Sequence, residues 1–304
     1  MITIVGAGRI GSTVAANIIP KELDDILLID IIQGLPQGEA LDLGHMAASF
    51  GVDVSLRGTN DYKDMEGSDL VIVTGGLPRK PGMTRLDLLQ KNSQIIGDIA
   101  LKIKEHAPKS LVLMVTNPLD VMTYVALKKT GFDKNRVFGM SGQLDSCRFR
   151  YFIAQTMKVP VSAVHAIVIG EHGESMLPLP QYSTVNGKPL TQLMSKEEIA
   201  KLIEGTRKTA ADVIALKGGT VYAPGNAVGS MVEAIIKNKH EQMPLSAYQN
   251  GEYGVNGFYI GVPAVLGRNG VEKIVKLDLD EEQKAVFQKG ADSIKNAISE
   301  IGLA

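Results

Sequence analysis

A single cysteine in 304 residues, a formal charge of only −1 and the lack of any long apolar run exclude several environments and partners at the outset. With Cys147 alone, no disulfide can close within the chain and no thiolate cage can hold a metal, which suits a reducing compartment. Cys147 itself reads as a small buried filler. The 32 basic residues are matched by 33 acidic ones and are scattered, so no positive face is offered to a nucleic acid or to an anionic membrane. No stretch reaches the roughly 18 apolar residues that a spanning helix needs, and an apolar strand starting at residue 2 leaves no room for a signal peptide. A cytoplasmic protein that binds neither nucleic acid nor membrane is expected. Internal repeats and low-complexity segments are also missing. The length allows one large domain or two modest ones, each with a full core.

What is present starts at once. Met1-Ile-Thr-Ile-Val5 runs into Gly6-Ala-Gly-Arg-Ile-Gly11, an apolar strand meeting a G-x-G-x-x-G turn. In such a turn Gly6 permits the sharp bend, Gly8 lets a pyrophosphate approach the backbone, and Gly11 lets the next helix close on the strand. The phosphates then sit at that helix's N-terminus. Asp30 ends the next apolar run, Ile26–Ile29. A carboxylate there accepts hydrogen bonds from the adenosine ribose hydroxyls and repels a 2′-phosphate, which favours NAD over NADP.

Through about residue 140, short apolar runs alternate with longer helical patterns. Strands are expected at 2–5, 26–29, 52–56, 70–74, 111–115 and 137–138, so the pattern predicts a parallel sheet with helices on both faces. Gly75-Gly76 and Asn117-Pro118 mark strand C-terminal ends, where open α/β sheets bind ligands. Beyond 140 the texture becomes α+β. Asn186-Gly187 and Asn250-Gly251 are the pairs that two-residue hairpin turns demand, and helices are expected over 142–157, 195–217, 225–238 and 281–301. On the last of these, Phe287, Ala291, Ile294, Ile298 and Ile301 form one stripe that packs on its own domain.

Chemistry concentrates in three places. Ile169-Gly-Glu-His172-Gly173 puts a histidine at the end of an apolar strand beside a glycine, a setting that the other four histidines lack. Asp145-Ser-Cys-Arg148 spaces a carboxylate and a guanidinium at i, i+3 on one helical face. Together they suggest a carboxylate holding an imidazole as acid/base and an arginine fork for a substrate carboxylate; an ordinary intrahelical ion pair is the plainer reading. The segment from Gly75 to Arg85, with Arg79 and Lys80 between, reads as a mobile lid carrying cations.

These motifs, with Val115-Thr-Asn117-Pro, occur in one order along the chain, which resembles the lactate/malate dehydrogenase family over essentially its whole length. Its nearest likeness is to the lactate-dehydrogenase-like malate dehydrogenases. The resemblance implies an N-terminal Rossmann doubly wound parallel sheet over 1–140 and a C-terminal α+β substrate domain over 141–304. NAD would be held by Gly6, Gly8, Arg9, Ile10, Gly11 and Asp30, with Gly75, Val115 and Asn117 along the crevice. His172 would pass the proton, Asp145 would orient it, Arg148 would clamp the C1 carboxylate, and Arg85 would polarise the reacting carbonyl. Asn117 would bond near nicotinamide and substrate, and Thr220 would line the pocket. Arg79 would grip a second carboxylate, which points to malate and oxaloacetate rather than lactate and pyruvate. No metal is implied. Glu174 departs from the aspartate of many relatives, and the start at the first strand leaves no N-terminal exchange arm, so both homodimer and homotetramer stay open.

Two readings of other classes compete. Gly139-Met-Ser141-Gly-Gln143 nearly matches a hydrolase nucleophile elbow but fails at its last position. A non-enzymatic NAD-responsive regulator would need the glycines and Asp30, yet neither His172 nor the arginines.

Overall fold

The computed structural model describes residues 1–78, 83–173 and 175–303. Arg79 and Glu174 lie outside the described residues. Six strands, β1 (Ile2–Val5), β2 (Ile26–Ile29), β3 (Leu56–Thr59), β4 (Leu70–Val73), β5 (Leu111–Met114) and β6 (Val137–Gly139), pair in parallel in the order β3-β2-β1-β4-β5-β6. The helices α1 (Arg9–Ile18), α2 (Leu35–Phe50), α3 (Arg85–His106) and α4 (Leu119–Thr130) connect them. Every residue of β1, β2, β4 and β5 is buried. Covered on both faces, they appear in sequence as near-continuous apolar runs rather than alternations, Thr3 being the one polar member.

The third strand is a correction to the sequence reading: 52–56 becomes Leu56–Thr59. Val52 and Val54 pack against the core without pairing, while Leu56, Arg57, Gly58 and Thr59 align with β2 residue by residue. Gly58 is there because a Cβ would overlap the Pro36 carbonyl at the start of α2. Pairing with β2, not local β propensity, sets this edge strand, and the close approach of α2 sets its glycine.

The second half opens with α5 (Gly142–Met157) and five two-residue strands: β7 (Val164–His165), β8 (Val168–Ile169), β9 (Leu177–Pro178), β10 (Thr184–Val185) and β11 (Lys188–Pro189). It continues with α6 (Lys196–Lys217), α7 (Tyr222–Ile236), β12 (Glu241–Asn250), β13 (Asn256–Gly267), β14 (Gly270–Ile274) and α8 (Glu281–Glu300). The strands β12, β13 and β14 are antiparallel to one another, and β12 joins the main sheet through Ser246 opposite Gly139. The sheet thus has nine strands drawn from both halves. The α/β class and the α+β second half agree with the sequence reading.

Of the two expected hairpins, Asn186 (φ 50°) and Gly187 (φ 77°) form the two-residue turn between β10 and β11. The other differs. Asn250 stays in β12 opposite Asn256, and the connection runs through Gly251 (φ 104°) and a short 3₁₀ turn at Glu252–Gly254. The helix expected at 225–238 spans Tyr222–Ile236. It rests on α1 by way of small residues, since a Cβ on Gly225 would lie 2.5 Å from Thr13 Cγ2. Glu233 of α7 reaches Lys21 at 2.8 Å and Lys239 at 2.7 Å, and these cations hold its carboxyl down at about 2. Along α8, Phe287, Ala291, Ile294 and Ile298 are buried, as the stripe predicted.

The strand order reverses between β1 and β4, so their C-terminal ends flank a crevice. Gly6 (φ 106°) fits there only without a side chain, because a Cβ would stand 2.5 Å from the Gly75 nitrogen. Thr74 Oγ1 donates to the Gly6 carbonyl at 2.9 Å. A Cβ on Gly11 would overlap the Gly6 carbonyl oxygen, whereas one on Gly8 would meet nothing within 4 Å. Gly11→Ala is expected to cost about 1–3 kcal/mol of stability, the usual range for an overpacked site. Gly8→Ala should lose less than about 1 kcal/mol, the N-cap preference alone. Calorimetric melting of both variants checks this; equal Tm values would mean that α1 does not rest on the Gly6 turn.

Candidate active site

Asp145 lies in the first turn of α5, where free amide groups favour a carboxylate. Arg148 stands one turn on, and its Nη1 donates to Asp145 Oδ1 at 3.0 Å. The ion pair expected from the i, i+3 spacing is therefore present. It is not the whole arrangement, because the second oxygen, Oδ2, lies 2.8 Å from Nδ1 of His172.

His172 follows β8 on a loop that the second half fixes firmly. Gly170 (φ 87°) exchanges backbone hydrogen bonds with Gly261 of β13, at 2.8 and 3.1 Å. The side chain of Asp145 is 2% exposed, against 11% for His172 and 12% for Arg148. A carboxylate only accepts, so Nδ1 carries the hydrogen and Nε2 is left for a mobile proton. Burial by itself pulls the imidazole pKa down. The charge and hydrogen bond of Asp145 outweigh it, with Arg148 opposing and Asp120 adding, and His172 titrates above its ordinary value.

At the other end of the site, Asp30 Oδ2 accepts from the Ala7 amide at 2.8 Å and Oδ1 from the Ile32 amide at 3.0 Å. Each oxygen keeps a lone pair for a ribose hydroxyl. Gly8 caps α1 with no side-chain hydrogen bond, so the first amides of the helix remain open to a phosphate. Gly8 and Arg9 are exposed, Gly6, Ile10 and Gly75 half-buried, and Gly11 and Val115 buried. This donor set, with space above Gly8, fits a dinucleotide. Asn117 is exposed on the turn that enters α4, joined to Pro118 by a cis peptide. Arg85 opens α3 behind the capping box of Thr84 and Asp87. Thr220 is half-buried between α6 and α7.

Three residues that sequence reasoning missed support the site. Asp120 of α4, 3% exposed, accepts the His172 backbone N–H on Oδ2 at 3.0 Å and the Ser246 hydroxyl on Oδ1 at 2.6 Å. Burial pushes its carboxyl up to about 6, while these two bonds pull the other way. Asn92 of α3, 1% exposed, accepts from the Leu77 N–H at 2.8 Å and donates to the carbonyls of Leu77 and Asn117 at 3.2 and 2.7 Å. It ties the root of the expected lid to the turn after β5. A signal existed for Asn92, a polar residue on the buried stripe of Leu89, Ile96, Ile99 and Ile103. None existed for Ser246, and an acid in a first helical turn, as at Asp120, is ordinary.

Ser141, the residue of the elbow-like motif, is fully buried, and its Oγ has no hydrogen-bond partner among the described residues. No base reaches it, which removes the hydrolase reading. Among the described residues, no group of histidine, cysteine and carboxylate side chains could hold a metal, and no helix is long and apolar enough to cross a membrane.

Comparison with known proteins gives the family. Residues 1–139 match the profile described as "lactate/malate dehydrogenase, NAD binding domain", and residues 142–302 match "lactate/malate dehydrogenase, alpha/beta C-terminal domain". The chain is 49% identical over 302 residues to the malate dehydrogenase of Methanosarcina barkeri, covering 99% of this chain and 98% of that one. The solved malate dehydrogenase of Aeropyrum pernix gives a TM-score of 0.95 at 46% identity, covering 98% of this chain and 97% of that one. A lactate dehydrogenase of Cryptosporidium parvum, solved with lactic acid and nicotinamide adenine dinucleotide, gives 0.95 at 39% identity, covering 100% and 98%. The chain belongs to the lactate/malate dehydrogenase family of NAD-dependent oxidoreductases.

Proposed function

We propose that the chain interconverts malate and oxaloacetate with NAD. The observation that carries the chemistry is the sharing of Asp145 between His172 Nδ1 and Arg148 Nη1, which sets an acid/base beside a guanidinium with all three side chains largely buried. The bound dinucleotide supplies the hydride acceptor or donor. In oxidation, neutral His172 takes the substrate hydroxyl proton on Nε2; in reduction it starts protonated and returns it. Asp145 holds the ring in the required tautomer and stabilises the imidazolium. Arg148, with N–H groups left over from its bond to Asp145, grips the C1 carboxylate in two parallel bonds. Arg85 polarises the carbonyl, Asn117 bonds the substrate oxygen, Thr220 lines the pocket, and closure of 76–85 excludes water. Residues 1–140 serve the cofactor in this scheme and 141–304 the substrate.

Malate is preferred over lactate on two grounds. The relatives named malate dehydrogenase are about half identical to this chain. Arg79 also matches the position that would meet a distal carboxylate; enclosed against the methyl of pyruvate it would be an unpaired cation, at a cost of roughly 3–5 kcal/mol. The lactate dehydrogenase relative keeps pyruvate as the second reading. Initial rates with oxaloacetate and pyruvate, each with NADH and NADPH, decide between them, and faster turnover of pyruvate would overturn the malate reading. Arg79→Gln should lower kcat/KM for oxaloacetate by at least about 10²-fold and spare pyruvate. Arg85→Gln should slow both.

His172→Asn should leave NADH affinity near wild type and reduce kcat by about 10²–10⁴-fold. Because protonated His172 is the donor in reduction and its pKa is raised, kcat/KM for oxaloacetate should fall as pH climbs past the ordinary imidazole range. For malate it should rise over the same interval. Near-native turnover by His172→Asn would sink the proton relay.

The apolar side chains left open on the surface support a homodimer or homotetramer. Leu41 and Phe50 on α2 are 63% and 56% exposed, and Leu216 and Tyr222 near the α6–α7 link are 86% and 74% exposed. Sedimentation velocity at micromolar concentration should show an oligomer, and a single monomer boundary would contradict it.

A further inference from the structure

Asp145 is the carboxylate that the imidazole ring needs, yet a second carboxylate is buried against the same histidine. Asp120 is 3% exposed and sits in the first turn of α4. Its two oxygens are divided between elements far apart in sequence. Oδ2 takes the peptide N–H of His172, and Oδ1 takes the hydroxyl of Ser246 on β12, itself fully buried.

A buried carboxylate is expensive, and a chain that needed only to satisfy one amide could do so with a neutral acceptor. The start of α4 offsets part of the cost through its free amide groups. What the charge adds is specific to its neighbour. We propose that Asp120 is a second positioning carboxylate for His172, acting through the peptide N–H rather than the ring and held in place by Ser246. It fixes where the imidazole stands relative to the sheet, and its negative charge favours the imidazolium form. This inference rests on His172 being the acid/base.

The charged groups that act on His172 are Asp145 and Arg148 from α5 and Asp120 from α4. Those that act on Asp120 are His172 and Glu171. Glu171 is engaged on its other side, where the Ser293 hydroxyl of α8 donates to its Oε1 at 3.2 Å. Asp145 bonds the ring directly and Arg148 is itself bonded to Asp145, so changing Asp120 leaves both of those contacts in place.

Asp120→Asn separates charge from shape. Its amide oxygen can still accept from the His172 N–H, and its amide N–H can donate to the Ser246 oxygen, so the fold has no reason to fail. The full-length protein is titrated by NMR of its histidine rings, with His172 identified by the signal missing in His172→Asn. Asp120→Asn should lower the His172 pKa by about 0.5–1 unit. The alkaline limb of kcat/KM for oxaloacetate should move down with it. A purely structural role would change Tm and leave the titration where it was.

Ser246→Ala provides a second arm that does not depend on the folding of Asp120→Asn. Losing one tether should lower kcat about 3–10-fold through looser placement of the ring, with the NADH Kd unchanged. A His172 pKa unmoved in folded Asp120→Asn overturns the proposal, as does wild-type kcat in Ser246→Ala. If the wild-type protein oxidises no NADH with oxaloacetate, the functional reading fails separately, since the ring titration needs no turnover.

Discussion

One carboxylate, that of Asp145, is divided between an imidazole and a guanidinium, and much of the second half is arranged so that it can be. Both of its oxygens are engaged and almost none of it meets water. In that setting a hydrogen bond has no competitor, and an unpaired charge would have no relief. The start of α5 must therefore be placed closely. Gly142 allows it, since a Cβ there would overlap the Val168 carbonyl and come within 2.9 Å of Pro244 Cβ. Ser141, at φ 35°, takes the strain of the turn into the helix. The helix is pressed against the chain that leads to His172, so carboxylate and imidazole reach each other from two segments with no slack between them.

The surrounding contacts measure the histidine from rigid elements rather than from its own loop. Gly170 is paired to β13, the His172 amide to α4, and the ring to α5. Asn92 performs a parallel service for the segment after β4, gripping both backbone groups of Leu77 along with the Asn117 carbonyl. Polar side chains buried for such purposes are constrained in both directions. Each satisfies backbone groups that would otherwise be orphaned, and each would be costly to leave unsatisfied itself.

Features governed by local periodicity were legible in the sequence. β2, β4 and β5 are unbroken apolar runs and β1 nearly so, the Asn186-Gly187 turn has residues its dihedrals favour, and the α8 stripe repeats with the helix. The spacing of Gly6 and Gly11 carried the close approach of strand and helix that the fold shows. The segments that misled were those where distant chain decided the outcome. Val52 and Val54 look like a strand but do not pair, because β2 fixes the register from Leu56 onward. Asn250-Gly251 looks like a tight hairpin, but β12 runs on to meet Asn256. Asp120 and Ser246 are 126 residues apart. Neither has a distinctive local pattern, and only the folded chain brings them to His172.

The pairing of Ser246 with Gly139 also sets a limit on how the two halves can be treated. Gly139 leaves its face bare, so that a Cβ there would lie 3.0 Å from Ser246 Cβ. At this one point β6 stops being a border of the sheet and becomes an interior strand. A fragment cut near residue 140 would turn a fully buried strand into an exposed apolar edge, with open backbone groups ready to pair with any other extended chain. The join between the first and second halves is thus a seam in the sheet. Recombining halves from different relatives requires matching that seam before it requires matching any residue in the site.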